Sequence, residues 1–216
     1  MKTSIKNEWP CIVATTLPFI YLAYVWRDLP EKVPMHWNIS GEIDRYGSKT
    51  ELLIIPFVMP LLIYLIFLLV PYIDPKKQIG SMGKKFHQLK FVFVLFMSLL
   101  SIFIIYSAYT ASLSSMNHIF IGVGIVFAVL GNYMQSIKPN YFIGIRTPWT
   151  LESNEVWKLT HRFAGKLWLG GGILIAFMAL FMDSSIFFWL FIGITIIISL
   201  IPLVYSYIKF KELETE

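Results

Sequence analysis

Six apolar runs set the terms for this chain. They cover about residues 9–26, 52–72, 91–111, 119–135, 167–182 and 186–207. A helix crosses the hydrocarbon core of a bilayer in about 20 predominantly apolar residues, and most of these runs approach that length. Backbone in lipid must satisfy its own hydrogen bonds, so segments of this kind are read as helices. Charge agrees: only 14% of residues are charged, where a soluble domain carries roughly 25%. The expected fold is an all-α membrane protein with six transmembrane helices. What remains between the runs is too short for a second, soluble core.

The connections give the orientation. Lys2 and Lys6 precede the first run, and Lys76, Lys77, Lys84, Lys85 and Lys90 fall in a basic loop over 74–90. A longer polar stretch, 136–166, adds five basic residues, and Lys209 and Lys211 follow the last run. With six spans all of these share one side, fourteen basic residues against four (Arg27, Lys32, Arg45 and Lys49) on the other. Lys and Arg are retained in the cytoplasm. Both termini are therefore expected to be cytoplasmic in a multi-pass protein of a cytoplasmic membrane, with residues 27–51 outside. A signal peptide is disfavoured because no Ala-x-Ala site follows the first run. The chain divides into residues 1–90, holding two spans and the outer loop, and residues 91–216, holding four spans and the 136–166 loop.

Several function classes lose support here. The single cysteine, Cys11, excludes an internal disulfide and a cysteine-rich metal cluster. A pI near 9.2 would suit nucleic acid, but the positive charge lies beside spans and reads as topology, so no direct nucleic-acid partner is expected. No acidic or basic residue falls clearly in mid-span, which weakens an ion-coupled carrier. His36 and His161 lie on opposite sides of the membrane, and no nucleophile–base pair stands at diagnostic spacing. An enzyme is not expected, nor any cofactor.

In the outer loop, Pro30 and Pro34 favour extended backbone, Gly41 and Gly47 permit turns, and Val33–Trp37 reads as a short extended segment. His36, Glu42 and Asp44 are competent metal ligands, yet their spacing matches no dedicated motif; a compact lid is the plainer reading. The order Pro30, Pro34, His36-Trp37, Gly41, Asp44, Lys49 resembles the small domain of unknown function that opens SdpI-like membrane proteins.

The inner loop is denser. It reads Lys138-Pro139-Asn140, Phe142, Gly144-Ile145-Arg146-Thr147-Pro148-Trp149-Thr150, then Trp157 and Thr160-His161-Arg162 with Gly165. Thr147 before Pro148 has the form of a helix start, a hydroxyl cap followed by proline in the first turn; Thr150 or Ser153 would cap a later one. Trp149 and Trp157 suit the headgroup layer. Trp157, His161 and Ala164 share one helical face and Lys158 and Arg162 a neighbouring one, which predicts a short interfacial helix before the fifth span. At a cytoplasmic boundary, Arg146 and Arg162 read first as phosphate anchors.

This stretch resembles the signature of the SdpI family, bacterial membrane proteins linked to immunity against secreted toxic peptides. The resemblance implies a protein that engages a secreted antimicrobial peptide outside and holds an ArsR-type repressor at the membrane inside. The toxin-facing residues would then include His36, Trp37, Asp44 and Lys49. Asn140, Gly144, Arg146, Thr147, Pro148, Trp149, Trp157, His161 and Arg162 would form the docking side. Two alternatives stay open: a small-solute transporter with a path along Ser101, Tyr106, Ser107, Thr110, Asn132 and Gln135, and an envelope-stress sensor.

Overall fold

The computed structural model describes residues 5–113 and 116–215. Lys2, invoked above for topology, lies outside the described residues. Helix α1 spans Ile5–Val25 and runs through Pro10 and Pro18. Strands β1 (Lys32–Trp37) and β2 (Ile43–Ser48) follow, and then helix α2, Lys49–Ile73. Next come the short α3 (Gln78–Ser81), α4 (Lys84–Thr110) and α5 (Asn117–Met134). Helix α6 (Pro148–Glu152) leads into α7 (Asn154–Met178), and α8 covers Ser184–Thr215. Among the described residues, five helices (α1, α2, α4, α5 and α8) are long and apolar enough to cross a membrane. Their outward apolar side chains, among them Tyr24, Val204 and Trp189, are largely exposed, as lipid contact requires and water would penalise.

Three local readings change. The all-helical class gains a β-hairpin, because the outer loop pairs β1 with β2 antiparallel. The basic loop over 74–90 is mostly helical: α4 begins at Lys84, so Lys84, Lys85 and Lys90 ride on a helix. The predicted interfacial segment consists of the five-residue α6 and the beginning of α7, which continues without a break to Met178.

Two compact units interleave in sequence, one from Lys2–Leu68 with Lys90–Ile119, the other from Leu69–Leu89 with Phe120–Glu216. In the first, Leu22, Val25, Leu29, Val33, Leu52, Ile55, Ile105 and Ala108 form one apolar cluster. It joins α1, β1, α2 and α4, so the hairpin is seated on helix ends. Helix α2 starts on a capping box, with the Ser48 hydroxyl accepting from Thr50 N–H and Glu51 reaching back to Ser48 N–H. It widens to a π-helical turn over Phe57–Leu61, where Pro60 has no N–H for the regular ladder.

In the second unit α5 and α7 run antiparallel with their backbones touching. A Cβ on Gly124 would meet Ala176 N and Gly172 O, both at 2.7 Å, and one on Gly165 would stand 2.8 Å from Gly131 O. Only glycine allows that approach, the small-residue packing typical of helices in lipid. Helix α8 closes the unit. Trp168 Nε1 donates to Ile198 O at 2.9 Å, and Phe163 stacks on Tyr205 at 4.3 Å.

Candidate functional site

The inner loop is built outward from Asn140, which is fully buried. Its Nδ2 donates to Lys138 O (2.8 Å) and Ile143 O (3.0 Å). Its Oδ1 accepts from Phe142 N–H (2.8 Å) and Ile143 N–H (2.7 Å). One amide thus supplies every bond its chemistry allows and folds residues 138–143 around itself. Gly144 continues the chain at φ +114°, a conformation that glycine tolerates and branched residues do not. A side chain there would also run into the His161 ring.

His161 is the other anchor. Its Nδ1 lies 2.8 Å from Trp157 O and its Nε2 accepts Ile145 N–H at 3.1 Å. That pair of partners selects the neutral tautomer with the proton on Nδ1. Burial pushes the imidazole down from 6.5 to about 4, partly opposed by the Trp157 carbonyl. Trp157 stacks on the ring at 4.0 Å and donates its Nε1–H to Ile137 O at 2.7 Å. At 2% exposure Trp157 is a core residue, which corrects its reading as a headgroup-belt tryptophan. Its face turned inward because both ends of the indole found partners in the protein.

Thr147 caps α6 as the sequence suggests: its hydroxyl accepts Thr150 N–H at 3.2 Å, and Thr150 Oγ1 accepts Thr147 N–H at 2.9 Å. Pro148 takes the first turn. Ser153 caps α7, accepting Val156 N–H. The Thr147 hydroxyl also lies 3.1 Å from Ser206 Oγ, tying the loop to α8, and Trp149 packs on Tyr207 at 5.1 Å. Arg146 is exposed but bonded inward, donating to Tyr141 O, whereas Arg162 lies exposed on α7. The signature residues therefore mostly hold one another.

Beside them opens a cavity of about 780 Å³, bordered by Lys76 and Gln78, by Gln135–Pro139, and by Asn154, Trp157, Lys158 and His161 of α7. Of the signature residues, Trp157 and His161 reach this wall; Asn140, Thr147 and Pro148 shape the loop behind it.

The outer hairpin separates its four candidates. His36 Nδ1 and Asp44 Oδ1 meet at 2.6 Å on an exposed face. Trp37 is half-buried and packs on the apolar cluster beneath. Lys49 pairs with Glu31 at 2.7 Å and lies over the Trp26 ring. Asn38 Nδ2 donates to Glu42 at 3.0 Å, and among the described residues no three metal-ligating side chains gather.

Comparison with known proteins now bears on these two loops. Residues 136–206 match the SdpI/YfhL protein family, and residues 13–59 match a domain of unknown function, DUF1648. Immunity protein SdpI of Bacillus subtilis (strain 168) is 31% identical over 201 residues, 93% of this chain and 92% of that protein. The chain belongs to the SdpI family. An uncharacterized protein of Archaeoglobus fulgidus is 45% identical over 47 residues, 22% of this chain and 26% of that one. No solved structure matches.

A second cluster has no local signal in the sequence. Glu8 of α1 and Lys90 of α4 are buried together, the Lys90 ammonium 2.6 Å from each Glu8 carboxylate oxygen. Tyr64 of α2 donates to Glu8 at 3.0 Å. This corrects one reading, because Lys90 is no loop cation: it rides on the second turn of α4, while Glu8 stands at the edge of the apolar window of α1. Eighty-two residues separate the partners, so no local pattern announces them. Lys76, Lys138 and Lys158 each stand out in the sequence, but their meeting on one cavity wall does not, since they come from three separate segments.

Proposed function

We propose that this SdpI-family chain is a six-span immunity protein of a bacterial cytoplasmic membrane, acting against a secreted membrane-active peptide by binding and conformational coupling, without catalysis. The observation carrying it is the near full-length similarity to Immunity protein SdpI. The sixth crossing is supported by α7. Its residues 165–176 lie backbone to backbone with residues 124–131 of α5, a helix apolar enough to span, so both stretches share one depth. Six crossings return the C-terminus to the side of the N-terminus. The lysine-rich loops then face the cytoplasm, the hairpin faces out, and the beginning of α7 lies at the interface with Lys158, Arg162 and Lys166 outward.

In this reading the exposed His36–Asp44 pair meets the peptide, while Trp37 and Lys49 brace the hairpin that presents it. The braced inner loop is the surface offered to a cytoplasmic partner, an ArsR-type repressor by family analogy. Helices α2, α4 and α5 each contribute residues to both compact units and are the covalent carriers of a signal from one to the other.

The test is a killing assay in a sensitive host expressing the parent chain, His36→Ala or Arg146→Ala, with membrane levels matched and a panel of secreted peptides applied. Protection by the parent, lost in a normally inserted His36→Ala, is expected. No protection from any peptide would remove the immunity reading.

The Glu8–Lys90–Tyr64 cluster favours a second reading, a small-solute carrier, since buried ionisable groups in membrane helices often mark a pathway. It ranks second because the two charges already neutralise each other. Solute flux in vesicles that disappears in Glu8→Gln would reverse that order.

A further inference from the structure

The cavity beside α7 has a one-signed wall. Lys76, Lys138 and Lys158 all contribute to it, and no Asp or Glu does. Among the described residues, none of the three makes an ion pair: Lys76 lies over the Tyr141 ring at 4.9 Å, and the other two side chains are exposed. Clustered like charges repel, and proteins usually intersperse carboxylates to relieve them. Asp74, the one acidic residue of the 74–90 stretch, is buried and spent on backbone N–H groups of Lys76 and Ile79.

The rest of the wall suits an anion too. Gln78, Gln135 and Asn154 offer amide donors, and the Ser136 hydroxyl is itself held by Lys85 Nζ at 2.7 Å. Asn154 opens α7, a helix of 25 residues, whose N-terminal N–H groups and dipole favour negative charge. The stacked Trp157 and His161 rings also border it. A volume of about 780 Å³ falls within the range of about 300–1,000 Å³ that suits small-molecule groups, too small for a folded partner.

From this geometry we propose that the cavity binds a phosphate-bearing anion, with Lys76, Lys138 and Lys158 as its cationic clamp. Two sources share that chemistry, the headgroup of an anionic membrane lipid and a soluble phosphate compound. The inference requires only that the chain is a membrane protein; it stands or falls apart from immunity.

The experiment uses the full chain purified in detergent, with native mass spectrometry reading retained ligand. Phosphatidylglycerol, phosphatidylcholine, glycerol phosphate and inorganic phosphate are titrated in turn. The triple variant Lys76→Gln/Lys138→Gln/Lys158→Gln is compared with Lys209→Gln/Lys211→Gln, which removes charge from the tail instead. Each lysine near an anionic surface contributes about a factor of five, so the triple variant is expected to lose about a hundredfold in phosphatidylglycerol affinity while the tail variant keeps it. Phosphatidylcholine should bind weakly. Tight glycerol phosphate or inorganic phosphate binding with the same lysine dependence would identify a soluble ligand in the same clamp. If the triple variant fails to insert, the three single variants should each lose about fivefold. Equal affinity in parent and lysine variants, or equal loss in the tail variant, overturns the proposal.

Discussion

His161 shows how much one residue carries in the inner loop. Its neutral ring accepts from Ile145 N–H and is bonded to Trp157 O, and protonation would turn that acceptor into a donor facing a donor. Well above pH 6.5 the ring is neutral in folded and unfolded chains alike. As pH falls below 6.5 the unfolded chain takes the proton and the folded one resists until about 4, so folded stability declines through that window and then levels off. The full loss is on the order of 3 kcal/mol. Melting temperature of the detergent-solubilised protein, scanned from pH 8 to pH 4, should drop more steeply for the parent than for His161→Gln. Parallel curves would refute this role. The sequence shows His161 on a face with Trp157, but spacing has no way of showing that Gly144 would bring Ile145 onto the ring from 16 residues away.

At the scale of elements, what was legible had a local cause. Thr147-Pro148 starts a helix because hydroxyl and pyrrolidine act within one turn, and the apolar runs of α2, α4, α5 and α8 read as helices from their own composition. Strand pairing depends on partners: β1 reads as extended, but its match to β2 rests on the Asn38 turn, whose Oδ1 accepts Ser40 and Glu42 N–H groups. The Glu8–Lys90 pair needed two helices to meet. The α5–α7 contact is the same kind of hidden fact, because Gly170, Gly171 and Gly172 look alike in sequence. In the fold a Cβ on Gly170 meets nothing within 4 Å, whereas one on Gly172 falls 2.9 Å from Ala128 Cα and closer to other backbone atoms. Gly172→Ala must push two helices apart, at a cost of about 1–3 kcal/mol, while Gly170→Ala should be neutral or slightly stabilising on helix propensity. Thermal melts of the two variants side by side decide the point, and equal melting temperatures would deny the close contact.

For the whole molecule the number of crossings fixes where every loop acts. Among the described residues five observed helices are long and apolar enough to cross, against six apolar runs in the sequence, and with the lysine-rich loops inside five crossings would leave the C-terminus outside. Helix α7 escapes that count because one continuous helix begins with Glu155, Lys158, Arg162 and Lys166 before its apolar stretch. Its glycine contact with α5 argues that the later part is nonetheless embedded, giving six. The charge balance points the same way, although Lys90 drops out of it, being matched by Glu8. Cysteine labelling separates the two counts cleanly, since the native Cys11 is buried and should contribute little background. With an impermeant maleimide on intact cells, Ser40→Cys in the exposed hairpin turn should label at once. Glu214→Cys, on the exposed end of α8, should label only after the membrane is opened. Labelling of Glu214→Cys in intact cells would mean five crossings: α7 would then lie on the membrane surface, and the α5–α7 glycine seam could not run at the depth of a span.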